Sequence, residues 1–114
     1  MTSLLTLIRA DSFWQRLCGL LGQPPLQANQ GLCLVPCAAI HTFGLRQPID
    51  VVFLAADGHL LKQCHAVSPW SIRACYGAYI VIELPAGFCT RYKSDLSRLL
   101  RSALLEAGIR PKNL

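Results

Sequence analysis

The sequence predicts an α+β fold, in which a β-rich sheet is flanked by a helix near each end of the chain. Three observations predict it. Two dense apolar runs, at 50–55 and 78–84, have the composition of buried strands. Asp57-Gly58 follows one residue after the first run and is a typical hairpin turn. Apolar residues then recur at helical spacing from 94 to 107.

Five segments are predicted strands. The run at 50–55 is apolar on both faces, which favours an inner strand or a barrel wall. We expect a type I′ turn at Asp57-Gly58, with both central residues at positive φ, and a returning strand behind it. The predicted strands are 3–8, 32–35, 50–55, 59–67 and 78–84.

Two helices are predicted at 12–21 and 94–107. Ser12 stands three residues before Gln15, the spacing at which each side chain can bind the backbone N–H of the other residue. Ser94 is the expected N-cap of the second helix, and Gly108 stands just beyond its end. The polar face of this helix carries arginine side chains.

The composition favours one domain over all 114 residues, with 53% hydrophobic and 15% charged residues. No apolar run is long enough to span a membrane, and the first residues lack the pattern of a secretory signal. We therefore expect a cytoplasmic monomer without a cofactor. Its six cysteines should be reduced, most of them as small core residues.

The net charge of +5 is concentrated at the C-terminal end. Residues 1–87 carry a balance of +1 and residues 88–114 a balance of +4. One alternative is therefore that the helix at 94–107 binds an anionic partner, a nucleic acid or a lipid surface, through Arg98 and Arg101. A solvated helix face is the simpler interpretation. No nucleic-acid motif is present, so nucleic acid is not the expected partner.

Four motifs together resemble a known family. They are "RLCGLL" (16–21), "GLCLVPCAAIHTFGLRQPIDVVFL" (31–54), "DGHLL" (57–61) and "ELPAG" (83–87). They are similar to a prokaryotic family of small domains of unknown function, number one hundred and ninety-two, whose core motif is C-x-x-I-H-T-F-G-M-R-x-P-I-D. The resemblance covers roughly residues 3–87.

The resemblance implies a mostly antiparallel, barrel-like sheet with packed N-terminal and C-terminal helices, and it implies no established reaction. The chain departs from the family pattern at two places. Leu45 stands where the family has methionine. After Gly87 the family continues with a turn and a last strand, whereas this chain has Phe88-Cys89-Thr90 and the basic helix.

Cys37, His41 and Asp50 are candidate catalytic residues. An imidazolium near a thiol lowers the thiol pKa, and a carboxylate can orient the imidazole ring, so the three could form a small thiol-dependent enzyme. The alternative is that His41 binds backbone at a tight turn while Cys37 packs inside. Cys33, Cys37 and His41 also have a spacing that is compatible with zinc, although a second pair of ligands is missing.

The leading hypothesis is a small non-enzymatic binding or accessory module for an unknown small ligand or protein. A polar cluster between two apolar runs would form its recognition surface. Asp50 and Glu83 are each the one carboxylate of an apolar strand, so they could also form a general acid/base pair; strand ends at the surface are the simpler explanation. The candidate ligand-binding residues are His41, Thr42, Phe43, Arg46, Asp50 and Glu83.

Overall fold

The computed structural model describes residues 4–10 and 12–111. In chain order the elements are β1 (Thr6–Ala10), α1 (Phe13–Cys18), β2 (Gln30–Leu34), β3 (Ala39–His41), β4 (Ile49–Leu54), β5 (Leu60–Val67), β6 (Ile72–Ala74), β7 (Ile80–Pro85), α2 (Phe88–Arg91) and α3 (Leu96–Glu106). Within the described ranges, no helix has both the length and the apolar character needed to cross a membrane.

Five strands form the main sheet in the order β1-β2-β7-β4-β5, and β3 and β6 pair in a separate two-stranded sheet. Among the described strands of the main sheet, β1 and β2 pair in parallel, and the pairs β2–β7, β7–β4 and β4–β5 are antiparallel. The predicted α+β class and the mostly antiparallel sheet are confirmed. The sheet is open, with β1 and β5 at its edges, so "barrel-like" holds only loosely.

The main sheet separates two cores because successive side chains of a strand point to opposite faces. The helix-side core is formed with α2 and α3 by Leu5, Leu7, Cys33, Val52, Leu54, Ile80, Ile82, Leu84, Phe88, Cys89, Leu96, Leu99, Leu100, Ala103, Leu104 and Ile109. The loop-side core contains Ala10, Leu32, Leu34, Ile40, Ile49, Val51, Phe53, Val67 and Val81. Each leucine that α3 buries contributes about 2 kcal/mol.

The structure confirms both predicted helices and corrects their ends. Ser12 and Gln15 form the predicted capping box at α1. That helix ends at Cys18 rather than near 21, because the next residue, Gly19, adopts φ +55° and leaves the helical conformation. The N-cap of α3 is Asp95 rather than Ser94, and it forms no side-chain capping bond.

The hairpin between β4 and β5 is confirmed, but its turn is not of type I′. Gly58 has φ 89°, whereas Asp57 is not among the residues with positive φ. The Gly58 N–H donates to the Ala55 carbonyl, and the Ala55 N–H donates to the His59 carbonyl, both at 2.9 Å. This is a longer loop with a glycine at its left-handed position, the next most common way to close a hairpin.

Three short elements were not predicted: β3, β6 and α2. Each spans only three or four residues. Segments this short show no readable periodicity, and tertiary contacts decide whether they form. β1 begins at Thr6, three residues after its predicted start at Ser3, which lies outside the described residues. β2 begins at Gln30, two residues before its predicted start at Leu32.

Candidate functional site

A cleft of about 520 Å³ lies at the end of the central strand pair, where Ile49 of β4 is paired with Pro85 of β7. Its walls come from three parts of the chain. They are residues 20–26 after α1, residues 44–49, which lead into β4, and residues 85–86 at the end of β7. We call it the loop cleft. Its volume is within the range of small-molecule sites in proteins.

Two of the walls meet where Gly44 contacts Leu21. A Cβ placed on Gly44 would lie 2.8 Å from Leu21 Cδ1, and Gly44 has φ +84°, so only glycine fits this turn without strain. The side chain of Leu21, which packs against Gly44, is 43% exposed and lines the cleft. The contact thus fixes the distance between the first and second walls.

The lining of the loop cleft is mostly aliphatic. Leucine, isoleucine, proline and alanine side chains dominate, and Gln23 and Gln47 add amides. Among the lining residues of the described chain, Arg46 is the one with a charged side chain. Arg46 and Gln47 are exposed, so their polar groups lie at the rim.

Arg46 is the one predicted ligand-binding residue that lines the cleft. Thr42 is 1% exposed and holds the turn that precedes β6. Its Oγ1 donates to the Ser68 carbonyl at 2.7 Å and accepts from the Ser71 N–H at 2.9 Å, while its carbonyl accepts from the Trp70 N–H at 3.1 Å. This clamp holds Trp70 at φ 62°, a strained conformation for a bulky residue.

His41 connects β3 to the end of α1. Its Nε2 lies 2.8 Å from the Leu17 carbonyl oxygen, and its Nδ1 accepts from the Phe43 N–H at 3.2 Å. The tautomer with hydrogen on Nε2 satisfies both bonds. The Phe43 ring lies 5.0 Å from the His41 ring and stacks on Trp70 at 5.7 Å. Both nitrogens of His41 are therefore engaged with backbone at a turn.

Asp50 is buried, at 1% exposure, and ties two elements to β4. Its Oδ1 accepts from the Ala66 N–H at 2.8 Å, where β5 bulges and Ala66 has φ 49°. Its Oδ2 accepts from the Cys89 N–H at 2.9 Å, in the first turn of α2. Burial raises the pKa of the Cys89 thiol to about 12, and the nearby Asp50 charge adds to this effect.

Glu83 is also 1% exposed and lies under the turn that follows α1. A Cβ placed on Gly19 would be 3.0 Å from Glu83 Oε1 and 3.2 Å from Oε2. Burial raises the pKa of Glu83 to about 8, and a hydrogen bond from the Leu20 backbone opposes this shift. Its Oε1 has no hydrogen-bond partner among the described residues. The carboxyl therefore lies directly behind the Leu20 wall of the loop cleft.

The proposed pairing of Asp50 with Glu83 is wrong in its geometry. Asp50 pairs in register with Leu84, and Glu83 pairs with Val51. Leu84 belongs to the helix-side core and Val51 to the loop-side core, so the two carboxyls point to opposite faces. Both carboxyls are buried, so the simpler explanation, that each lies at a strand end on the surface, is wrong as well.

The structure does not join Cys37, His41 and Asp50 through hydrogen bonds within the described residues. The Cys37 Sγ donates to the Ala39 carbonyl at 3.1 Å, while the nitrogens of His41 and the oxygens of Asp50 bind backbone. Burial raises the pKa of Cys37, which opposes formation of a thiolate.

The suggested zinc ligands are also spread over the molecule. Cys33 belongs to the helix-side core, whereas Cys37 packs against the loop-side core. In the part of the chain that is described, no group of three or more histidine, cysteine, aspartate or glutamate side chains is placed to hold a metal ion. On α3, Arg98 forms an ion pair with Asp95 at 2.7 Å, while Arg101 is exposed.

Two of the three walls, at 20–26 and 85–86, contain no predicted site residue. Leu20, Leu21 and Leu26 are apolar residues next to a Pro-Pro pair in a segment that forms neither helix nor strand. Leucines in such a segment indicate an apolar lining, but the helical spacing predicts Leu20 and Leu21 as part of the helix at 12–21.

Two solved structures share this fold. A protein of unknown function from Novosphingobium aromaticivorans is 18% identical with a TM-score of 0.71, over 78% of this chain and 69% of that chain. A protein from Sinorhizobium meliloti, named as a proposed transcription regulator, is 24% identical with a TM-score of 0.71, over 78% of this chain and 74% of that chain. At these identities the similarity shows a shared fold. The comparison with curated proteins gave no match.

The family comparison covers most of the chain. The model of the DUF192 family, described as an uncharacterised conserved family, matches residues 2–97. This match extends beyond Gly87 through α2 and into the first turn of α3, so it includes a segment that departs from the motif pattern described above. The chain belongs to the DUF192 family.

Proposed function

We propose that the protein is a non-enzymatic binding module whose ligand site is the loop cleft. The observation that carries this proposal is the cleft itself, about 520 Å³ in volume and lined mostly by aliphatic side chains with one cationic residue at its rim. Sites of this size, with an apolar lining and few polar groups, are typical for small molecules.

The contacts of the other candidate residues favour binding over catalysis. His41 and Asp50 are bound to backbone groups that they hold in place, and Thr42 clamps a turn. A general base must reach the proton that it removes, and these side chains already hold structural partners. Of the polar segment at 41–50, only residues 44–49 therefore belong to the proposed recognition surface. Residues 20–26 and 85–86 form the rest of that surface.

The cytoplasm is the proposed compartment. The thiols of Cys33 and Cys89 are not in disulfides, are almost fully buried and pack as core residues. Reduced, buried cysteines of this kind suit a compartment in which thiols are kept reduced.

Closing the cleft tests the proposal. Ala86 is exposed and lines the cleft, so Ala86→Phe should fill it from the surface without disturbing either core. Ala74 is also exposed but lies outside the cleft, and Ala74→Phe is the matched control. The probe is the neutral dye Nile red, whose fluorescence rises in an apolar site.

We expect saturable dye binding by the wild type and by Ala74→Phe, and at least tenfold weaker binding by Ala86→Phe. The urea unfolding midpoints of both variants should stay close to that of the wild type. Equal binding by wild type and Ala86→Phe, or no saturable binding by the wild type, would contradict the proposal.

A further inference from the structure

The chemistry of the lining restricts the ligand body. Among the lining residues of the described chain there is no aromatic side chain, while leucines, an isoleucine and several prolines provide aliphatic surface. Planar rings such as nucleobases are usually held by aromatic stacking partners. An aliphatic chain needs only apolar contact area, which this cleft provides.

The charge of the lining restricts the ligand head. Arg46 is the one charged side chain among the lining residues described, and it makes none of the hydrogen bonds or ion pairs found for the described chain. A guanidinium offers a planar fork of donors that matches a carboxylate with two parallel hydrogen bonds. The neighbouring Gln47 adds an amide at the same rim.

The two buried carboxyls do not compete for this arginine. Asp50 points to the helix-side face and binds two backbone N–H groups. Glu83 lies behind Gly19 and Leu20, and neither carboxyl is among the lining residues. An incoming anion thus meets a cationic rim with no carboxylate in the lining.

A peptide is a less suitable occupant than a simple amphiphile. Each peptide unit brings an N–H and a C=O that need partners when they leave water. Among the described residues that line the cleft, the polar side chains are Gln23, Arg46 and Gln47. These groups can serve one polar head, whereas a bound backbone would leave several groups unsatisfied.

From these observations we propose that the loop cleft binds an aliphatic monoanion, a carboxylate with an alkyl chain, with the chain against the leucines and the carboxylate on Arg46. This inference rests on the proposed function and specifies its ligand class.

The test compares two ligands with the same chain, decanoate and 1-decanol, by titration calorimetry below their aggregation limits. The variants are Arg46→Gln and, as a control for the same change in net charge, Arg101→Gln. Arg101 is exposed on α3 and does not line the cleft.

We expect the wild type and Arg101→Gln to bind decanoate at least tenfold more tightly than decanol, with a preference that falls as salt is added. Arg46→Gln should lose that preference. Equal affinity of the wild type for the two ligands, or a preference that survives in Arg46→Gln, would overturn the ligand class. The ligand class can fail while decanol and Nile red still bind to the wild type and Ala86→Phe prevents the binding of both. In that case the proposed function stands and only the ligand class is wrong. If no ligand binds, both proposals fail.

Discussion

Asp50 and Glu83 lie on neighbouring strands of the main sheet, offset by one residue in register, and point to opposite faces. The offset gives the carboxyls different surroundings. Asp50 accepts two backbone hydrogen bonds on the helix side. Glu83 is covered by Gly19 on the loop side, and burial raises its pKa. Two carboxyls that are adjacent in the sheet therefore have separate structural roles.

Asp50→Asn should destabilise the protein by about 3 kcal/mol, as measured by urea unfolding at pH 7. An asparagine has one acceptor oxygen, so one of the N–H groups of Ala66 and Cys89 would lose its partner and face the amide NH₂ instead. The charge that strengthens both bonds would also be lost.

Asp57→Asn is the matched control, because the Asp57 Oδ1 accepts the His59 N–H at 2.9 Å in a turn, and an amide oxygen can accept the same bond. The Asp57 Oδ2 also lies 3.7 Å from His59 Nδ1, and such an exposed ion pair contributes little to stability. Its stability should change by less than about 0.5 kcal/mol. An Asp50→Asn variant as stable as this control would show that the two hydrogen bonds add little.

Glu83→Gln should remove a pH-dependent loss of stability. The folded-state pKa of Glu83 is about 8, above the value of an unfolded glutamate, so the folded state holds this proton more tightly. The stability that the protonated Glu83 carboxyl contributes is fully present below about pH 4.5, declines as the pH rises, and is lost above about pH 8. Glutamine cannot ionise, so the variant should be more stable than the wild type at pH 8.5, by roughly 2 kcal/mol or more.

The measurement is the difference in unfolding free energy between wild type and variant at several pH values from 4 to 9. This difference cancels other titrating groups, apart from Cys37, whose charge is coupled to that of Glu83. Glu106→Gln, on the exposed side of α3, removes a surface carboxylate as the matched control and should change stability by less than about 0.5 kcal/mol. A flat curve for Glu83→Gln would mean that the carboxyl finds a better environment than its burial indicates.

Alanine at His41 and at Arg46 should have different effects. His41→Ala removes two hydrogen bonds to backbone, at Leu17 and Phe43, and should cost about 2 kcal/mol of stability. Arg46→Ala removes an exposed rim side chain and should stay within about 0.5 kcal/mol of the wild type.

Thermal unfolding of both variants, with His65→Ala as an exposed histidine control, checks the prediction. Equal stability of His41→Ala and His65→Ala would contradict the structural role of His41. A large loss in Arg46→Ala would contradict its place at the rim.

Cys37 should alkylate slowly in the folded protein. Burial raises its pKa, so the thiolate fraction at neutral pH is smaller than in a free cysteine, whose pKa is about 8.5. Cys89, with a pKa of about 12 and 1% exposure, should react only after unfolding. Iodoacetamide labelling against pH, read by mass spectrometry, measures both. A midpoint below pH 8 at Cys37 would favour the alternative of a thiol-dependent enzyme that uses Cys37 and His41.

Local patterns were sufficient to predict much of the fold. The capping box at Ser12, the apolar run of β4 and the periodicity of α3 each depend on residues close together in sequence. The end of α1 was not predicted, because Gly19 adopts a positive φ where it lies close to the Glu83 carboxyl, and Glu83 follows much later in the chain. β3 and β6 were not predicted for the same reason, because they pair with each other and are far apart in sequence.

The candidate site was predicted less well, for a similar reason. The contacts of His41 agree with the alternative that it binds backbone at a tight turn, and Arg46, a predicted ligand-binding residue, lines the cleft. The roles of Thr42 and Asp50 depend on N–H groups of Ser71, Ala66 and Cys89, which no spacing within the motif reveals.

The three walls of the loop cleft come from stretches that are far apart in sequence, so the site exists only when the central strands are fully assembled. A peptide taken from any one wall should have no affinity of its own. A bound ligand would instead stabilise the native state alone, by about 2.7 kcal/mol at a concentration one hundred times its Kd. In a refolding experiment, the ligand would therefore bind only at the last step. The rate at which binding appears would then report the rate at which the native state forms.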